Sequence, residues 1–527
     1  MSKSYRIVLP LLLLWLVAWI VLSWPAIQDD ALIHLRFADN LYLTHHITYD
    51  GITPSYGASS LLYVALLALL RSVFTSPNLP RAVSSLAHLS LFAGLAFLFT
   101  RNAIQRSPIA RLLGLVFLCF VASPGTVRWL DDGMETGLAI CIVALIVWLT
   151  FRQSSRTTTS PGEYLAFVAL GLSAVLLRTE FLLPCALATI ILVLKRAQSD
   201  RESHPTNLRS LLESSHLLVG SLLALAVILF NMHVLLPDTA LAKSHGIGSW
   251  RSVLSSTPQV LVGALSFGIG LLVVWLVTLA LVQRAGRLSL PVLVANSVFP
   301  ITIVLAMSRG QEIQGARYLV WTYFFSILWN ILELATPPHR ASGASPQPTA
   351  SAQFPKPADK LLVYATLTIF LIAQPLEARL MYRVLTLRSS TLAHFESEHL
   401  EVLHGMLGVA FDVGYIGYFS QAQICDLAGL VNGRAPARLS TAARAEACAR
   451  RNPDFIFGNQ SQIYLMSKHL SLAGWQVCSQ FEFTNLRQPD SHYLLLPPAT
   501  ADRLCHAITG AAPYPIDPSI SILPYPS

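Results

Sequence analysis

The segment Gln28-Asp29-Asp30-Ala-Leu-Ile-His34-Leu-Arg36 follows directly on the first apolar run of the chain. Adjacent carboxylates at a membrane boundary repel each other unless a proton, a cation or a metal ion is shared. His34 stands one helical turn beyond Asp30, so a carboxylate and an imidazole could face one cavity. A solvated first turn of helix, where Asp is favoured, fits the same residues. The loop Gly51-Ile-Thr-Pro-Ser55-Tyr56-Gly57 offers a phenol and hydroxyls to a sugar or a headgroup, or is simply a polar loop. Arg128-Trp129-Leu-Asp131-Asp132-Gly-Met-Glu135 sets three acids beside an arginine, as a binding site or as a neutralised surface network. Arg178-Thr179-Glu180 interrupts apolar sequence within the width of a turn, so its charges must line a wet cavity or pair with each other. Further along, Leu236-Pro-Asp238-Thr-Ala-Leu-Ala-Lys243-Ser-His245 and Gln311-Glu312-Ile-Gln-Gly-Ala-Arg317 supply Lys243, His245 and Arg317, cations suited to a phosphate leaving group. Interfacial snorkelling is the competing account of the lysine and the arginine.

The elements that must position these residues are membrane helices. The chain has 527 residues, 54% hydrophobic and only 12% charged, with a mean hydropathy of +0.55. Soluble domains carry about 25% charged residues, so an ordinary soluble enzyme is excluded. The formal charge of +8 is scattered in short clusters between apolar runs, which is how inward loops look and not how a nucleic-acid stripe looks. Apolar runs at 7–27, 84–100, 108–123, 136–151, 164–178, 181–194, 214–231, 259–282, 288–307, 318–335 and 361–376 predict about eleven crossings, with the shorter run 58–70 not crossing. With the amino terminus inside, the Arg and Lys clusters near 101–111, 152–156, 195–201, 284–287 and 340–360 all face inward, and the polar motifs above all face outward. Residues 1–376 form the membrane domain, and 377–527 a soluble outer domain of mixed α/β or β-rich character. Strands are expected at Gln462-Ile-Tyr-Leu-Met and Ser491-His-Tyr-Leu-Leu-Leu. Cys425, Cys448, Cys478 and Cys505 fall in that domain, where one or two disulfides are expected and three pairings are open.

Taken in order, Asp29-Asp30-Ala-Leu-Ile-His-Leu-Arg36, the Tyr-Gly-Ala-Ser-Ser segment, Gly133-Met-Glu135-Thr136, Arg178-Thr-Glu180, Leu-Pro-Asp-Thr-Ala-Leu-Ala-Lys243 and Gly-Ala-Arg317-Tyr resemble the polyprenyl-phosphate-dependent membrane glycosyltransferases of the GT-C class. Among these the chain is most similar to the terminal arabinofuranosyltransferases of mycobacterial arabinan. The resemblance implies a multi-pass protein of the bacterial inner membrane with its C-terminal domain on the outer face. It also implies a polyprenyl-phosphate sugar donor, a cell-envelope glycan acceptor and no nucleic acid. Carried over, Asp29 is the general base, and Asp30 positions substrate or helps to hold Mg²⁺ or Mn²⁺. Lys243, His245 and Arg317 meet the leaving phosphate, and Glu135 or Glu180 holds sugar hydroxyls. His34, Tyr56, Arg178 and Glu312 complete the substrate-binding set. Thr179 stands where that family suggests proline and Asp238 where it suggests asparagine, so donor type transfers better than acceptor identity. The outer domain is expected to bind acceptor glycan, with Tyr415, Tyr418 and Trp475 as stacking surfaces or as buried aromatics. Alternatives are transfer of another lipid-linked sugar to lipid A, a protein or a surface polysaccharide, or a glycan-binding or transport protein without chemistry.

Overall fold

The computed structural model describes residues 3–101, 104, 107–154, 160–200, 214–244, 271–308, 316–336, 357–484 and 489–516. The N-terminal part is helical: α1 Lys3–Ser23, α2 Asp29–Thr44, α3 Leu61–Arg71, α4 Leu79–Thr100, α5 Pro108–Val121, α6 Pro124–Leu130, α7 Thr136–Ser154, α8 Pro161–Leu177, α9 Leu182–Asp200, α10 His216–Met232, α11 Asp238–Ser244, α12 Leu271–Arg284, α13 Leu290–Ser308, α14 Ala316–Ala335 and α15 Pro357–Ser397. Proline opens α5, α6 and α8, where its missing amide proton costs nothing, and a capping box between Ser160 and Glu163 fixes the start of α8.

Among the described residues α4, α7 and α15 are each long and apolar enough to cross a membrane, and α5 with α6, bent by 63°, make a fourth if taken as one broken span. Seven other apolar helices have 10–17 described residues, so these lengths leave the expected eleven crossings unfixed. Helix α3 has 11 residues. It therefore reaches about 16 Å, half of a hydrocarbon core of about 30 Å. It lies fastened to α2 through an ion pair of Arg71 with Asp39. Helix α7 packs on α4, α9 and α14. Near the middle of α12–α14 the amides of Asn296 and Asn330 bond each other at 2.9 and 3.0 Å, joined by the Trp275 indole at 2.8 Å. Such bonds hold helices together where lipid offers no hydrophobic drive.

Helix α15 runs for 41 residues, so position 376 lies inside one continuous helix that leads from the helical part into the C-terminal domain. That domain is a mixed sheet of β1 Leu407–Ala410, β2 Gln423–Asp426, β3 Phe455–Asn459, β4 Gln476–Thr484, β5 Pro489–Leu496 and β6 Tyr514–Pro515, in the order β2-β1-β3-β5-β4-β6. Strand β1 runs parallel to β2 and β3, and the remaining pairs are antiparallel. Helices α16 Gly414–Ser420, α17 Arg434–Ala437, α18 Thr441–Ala449, α19 Gln460–Ser467 and α20 Ala501–Thr509 complete it. Ser491–Leu496 forms part of β5 as expected. The stretch Gln462–Met466 is helix instead of strand, because Asn459 and Gln462 form a capping box that starts α19. The cysteines pair as Cys425–Cys448 and Cys478–Cys505, while Cys119, Cys141 and Cys185 are free thiols in apolar helices.

Candidate active site

Helix α2 presents two faces with different partners. Asp29 and Arg36, two turns apart, both reach the C-terminal domain. The Asp29 carboxylate accepts the backbone amides of Gly414 at 3.0 Å and Tyr415 at 2.7 Å, at the first turn of α16. Arg36, 3% exposed, donates to the carbonyls of Gly417 and, at 2.6 Å, Ala422, with its guanidinium over the Tyr49 ring. Tyr49 in turn donates to Val413 O at 2.5 Å, and Tyr415 donates to Ile27 O at 2.7 Å. A Cβ at position 414 would collide with the backbone of Asp29, so only glycine permits this approach. Gln28 is the residue preceding α2 and makes no side-chain cap; Asp29 sits in the first turn but spends its carboxylate on the other domain.

Asp30 and His34 belong to the next face. His34 contacts the Asp30 carbonyl through Nδ1 at 2.9 Å, and its Nε2 lies 3.9 Å from Glu135 Oε2. Glu135, 1% exposed, accepts from Arg178 Nη1 at 2.9 Å, and Arg178 Nε donates to Glu180 at 2.6 Å. One arginine thus bridges the glutamates of two sequence motifs, and the imidazole of a third stands beside them. The turn between α8 and α9 makes this possible, with Arg178 extended and Thr179–Phe181 a single 3₁₀ turn. The Tyr56 hydroxyl is buried without a hydrogen-bond partner among the described residues. Burial, with Glu180 and Asp238 nearby, raises its pKa and keeps it a neutral donor. The Tyr56 backbone exchanges hydrogen bonds of 3.0 Å with Asp238, tying this loop to α11.

Burial is the largest influence on Asp29; with Asp412 and Asp30 adding negative charge, it lifts the carboxyl to about 8 against the pull of the two amides. Asp412, just beyond β1, bonds His492 Nε2 at 2.8 Å. Burial, the largest single influence, opposes charge on that imidazole, and the bond and charge of Asp412 together with Asp490 outweigh it and raise the pKa. Among the described residues no three His, Cys, Asp or Glu side chains gather to hold a metal ion. Each oxygen of Asp29 accepts one backbone amide and keeps a further lone pair.

Lys243 lies in α11 and Arg317 in the first turn of α14, with their side chains outside the described residues; His245 and Glu312 lie outside them altogether. Of the expected stacking aromatics, Tyr415 and Trp475 are buried in packing, at 3% and 8% exposure, and Tyr418 lies half-buried near Arg71. Asp426 serves its own loop, accepting the amides of Ala428 at 2.7 Å, Val431 at 2.9 Å and Leu430. Arg36 stands outside the set of residues expected from sequence, and its seven-residue spacing from Asp29 is the signal that the two share a face. Arg128, Asp131 and Asp132, one of the motifs read from sequence, line a recess beside Ala26 where Arg81 and Arg388, which no local spacing announces, converge with them. Asp131 there is paired with His88 at 2.6 Å.

Residues 388–499 match a domain of unknown function (DUF8728). Over 243 residues the chain is 28% identical to the terminal beta-(1->2)-arabinofuranosyltransferase of Mycobacterium tuberculosis (strain ATCC 25618 / H37Rv); the match covers 43% of this chain and 37% of that protein's length. ArnT from Cupriavidus metallidurans, in a crystal structure bound to undecaprenyl phosphate, is similar with a TM-score of 0.50 at 12% sequence identity, over 94% of this chain and 98% of that one. The chain therefore shares the fold of ArnT along nearly its whole length, a mostly helical part with membrane-like apolar helices followed by a sheet-containing domain, as expected of the GT-C class.

Proposed function

We propose that this chain is a membrane glycosyltransferase that moves a sugar, D-arabinofuranose in the first instance, from a polyprenyl-phosphate donor to a cell-envelope glycan. The observation that carries this is the placement of Asp29: a carboxylate lifted to about 8 and oriented by two amides of the C-terminal domain, on the helix whose next face sets His34 against the buried Glu135–Arg178 pair. A base with a pKa near the working pH is the kind that removes a hydroxyl proton efficiently. In the proposed step an acceptor hydroxyl oxygen bonds to the anomeric carbon of the donor and its proton passes to Asp29. The bond from that carbon to the phosphate oxygen breaks, and the polyprenyl phosphate leaves as an anion. Glu135 and Glu180, held by Arg178, and the Tyr56 hydroxyl orient sugar hydroxyls. Lys243, His245 and Arg317 neutralise the phosphate, and Asp30 positions the donor with no step routed through an ion.

The bound undecaprenyl phosphate of ArnT supports the donor class, and the name of the mycobacterial relative supports the sugar. The ArnT likeness covers 94% of the chain and the arabinosyl match 43%. Because the arabinosyl match spans less than half of the chain, the second reading is another lipid-linked sugar moved to lipid A, a protein or a surface polysaccharide. The test is transfer by purified protein from synthetic polyprenyl-phosphoryl arabinofuranose to short arabinan acceptors, beside Asp29→Asn and Asp30→Asn, with product read by mass. Product from the wild type and none from the folded variants supports the proposal. Product only from a different polyprenyl-phosphate sugar moves it to the second reading, and no product from any such donor sinks both.

A further inference from the structure

We propose that the C-terminal domain supplies a residue that touches the acceptor in the proposed transfer: Asp412, held in place by His492, accepts a hydroxyl of the acceptor sugar beside the one that Asp29 deprotonates. The role given to Asp412 rests on the transferase reading; its geometry does not. Strand β1 lies between β2 and β3 and parallel to both, and from its carboxyl end the chain turns first to β2 on one side and later to β3 on the other. At such a reversal, the crevice outside the carboxyl ends of parallel strands is where ligands bind. Phe411 and Asp412 are the first residues beyond that end. Gly414, whose amide holds Asp29, follows two residues later, so the backbones of Asp412 and Gly414 lie within about 7 Å of each other. Among charged groups Asp412 acts most strongly on Asp29, ahead of the adjacent Asp30.

The pair is built unlike a surface ion bridge. His492 Nε2 donates to Asp412 Oδ2 at 2.8 Å, and Nδ1 faces the Asp490 carbonyl at 3.4 Å. The imidazole lies against the rings of Phe457 and Phe483, at centroid distances of 5.5 and 4.2 Å, and Phe483 in turn meets Tyr415 of α16, so this face of the sheet is the one turned toward Asp29. The His492 side chain is 2% exposed and that of Asp412 37%. A buried ring is thus committed to a carboxylate that reaches solvent, where an ion pair contributes only about 0–1 kcal/mol; what the bond fixes is the direction of Asp412. Asp412 Oδ1 makes no hydrogen bond among the described residues, and a carboxylate can accept through both oxygens. Burial works against charge on His492, and Asp412 and Asp490 outweigh it. The imidazolium so favoured offsets the carboxylate, and a neutral hydroxyl suits the pair better than a cation. Phe411, 36% exposed and next in sequence, offers an apolar ring to the carbon face of a sugar.

The test measures binding apart from transfer. The full chain in lipid nanodiscs is titrated calorimetrically, without donor, with a linear tri-arabinofuranoside. The wild type should bind it. Asp412→Asn keeps the shape and loses the charge, and should weaken binding about tenfold, the difference between a charged and a neutral acceptor of a hydrogen bond. His492→Leu should weaken it similarly, whereas His492→Gln, whose amide can still donate to Asp412, should keep most of it. In transfer assays Asp412→Asn should raise the KM for acceptor about tenfold and leave the KM for the lipid-linked donor unchanged, a split that a merely structural residue does not produce. Asp412 is half-buried, so its variant keeps the fold and the result readable even if His492→Leu does not. No binding of the trisaccharide to the wild type, binding unchanged in Asp412→Asn, or an equal rise in both KM values overturns the proposal. Binding that weakens as expected in a protein that transfers nothing from any polyprenyl-phosphate sugar supports the sugar contact and removes the transferase reading instead.

Discussion

In the proposed transfer Asp29 is the residue on which the chemistry turns, and its environment makes its ionisation measurable. Burial and two neighbouring acids hold its carboxyl at about 8, so below that pH the group is mostly protonated and cannot take a proton. Transfer measured as kcat/KM should therefore rise with pH through about 8; a flat profile from pH 6 to 9 would remove Asp29 from the base role. The same shift sets the sign of a stability effect. Between the ordinary carboxylate range and about 8 the folded chain holds a proton that the unfolded chain has released, so this contribution is full at low pH and is lost as pH rises through 8. Asp29→Asn should flatten that loss in thermal unfolding while abolishing transfer. Arg178 gives a second test at this scale. Its planar fork joins Glu135 and Glu180 through different nitrogens, which a lysine cannot reproduce. Arg178→Lys keeps the charge and should still lower transfer by about ten- to a hundredfold, a loss typical of disturbing a positioned site; unchanged kinetics would show that the bridge is only structural.

At the level of elements, the site exists because α16 docks on α2. Every bond in that dock joins residues more than 360 positions apart, among them Asp29 with Tyr415, Arg36 with Ala422 and Tyr49 with Val413. The sequence could announce each half and not the union: the acidic pair, the turn at Arg178 and the apolar runs are local patterns, legible from spacing alone. The bridge between Glu135 and Arg178 was half legible, since buried charges must pair but their partners are unnamed. Arg36 was illegible because a lone arginine on a helix resembles any surface cation until the carbonyls it meets are known. The misread stretch at Gln462–Met466 has the same origin, a short apolar run whose helix is decided by a cap outside it. The dock yields a steric prediction. Gly414→Ala places a methyl group against the Asp29 backbone and should destabilise the outer domain by about 1–3 kcal/mol, as overpacking does. Transfer should fall at least tenfold, whereas Gly94→Ala in α4, with open space around it, should change neither. Equal behaviour of the two variants would mean that the domains do not dock this way.

Over the whole molecule, charge is sorted by end. Lys195 pairs with Glu333, Arg287 bonds the Glu333 carbonyl and Arg284 pairs with Asp359 at the end expected to face the cytoplasm, while Asp29, Glu135, Arg178 and the disulfide-bearing domain lie toward the other. This arrangement makes orientation a question of cysteine chemistry. Of seven cysteines, four are paired in the outer domain and three lie as thiols in apolar helices. Disulfides persist in an oxidising compartment and are reduced in the cytosol. Protein taken from cells into a thiol-blocking denaturant should therefore show three reactive thiols by mass, rising to seven after reduction. Seven thiols before reduction would place the C-terminal domain inside, and with it Asp29, which α16 holds by two amides. A lipid-linked donor presented on the outer face would then be beyond reach of the proposed base, so this one count bears on the orientation and on the transfer reaction together.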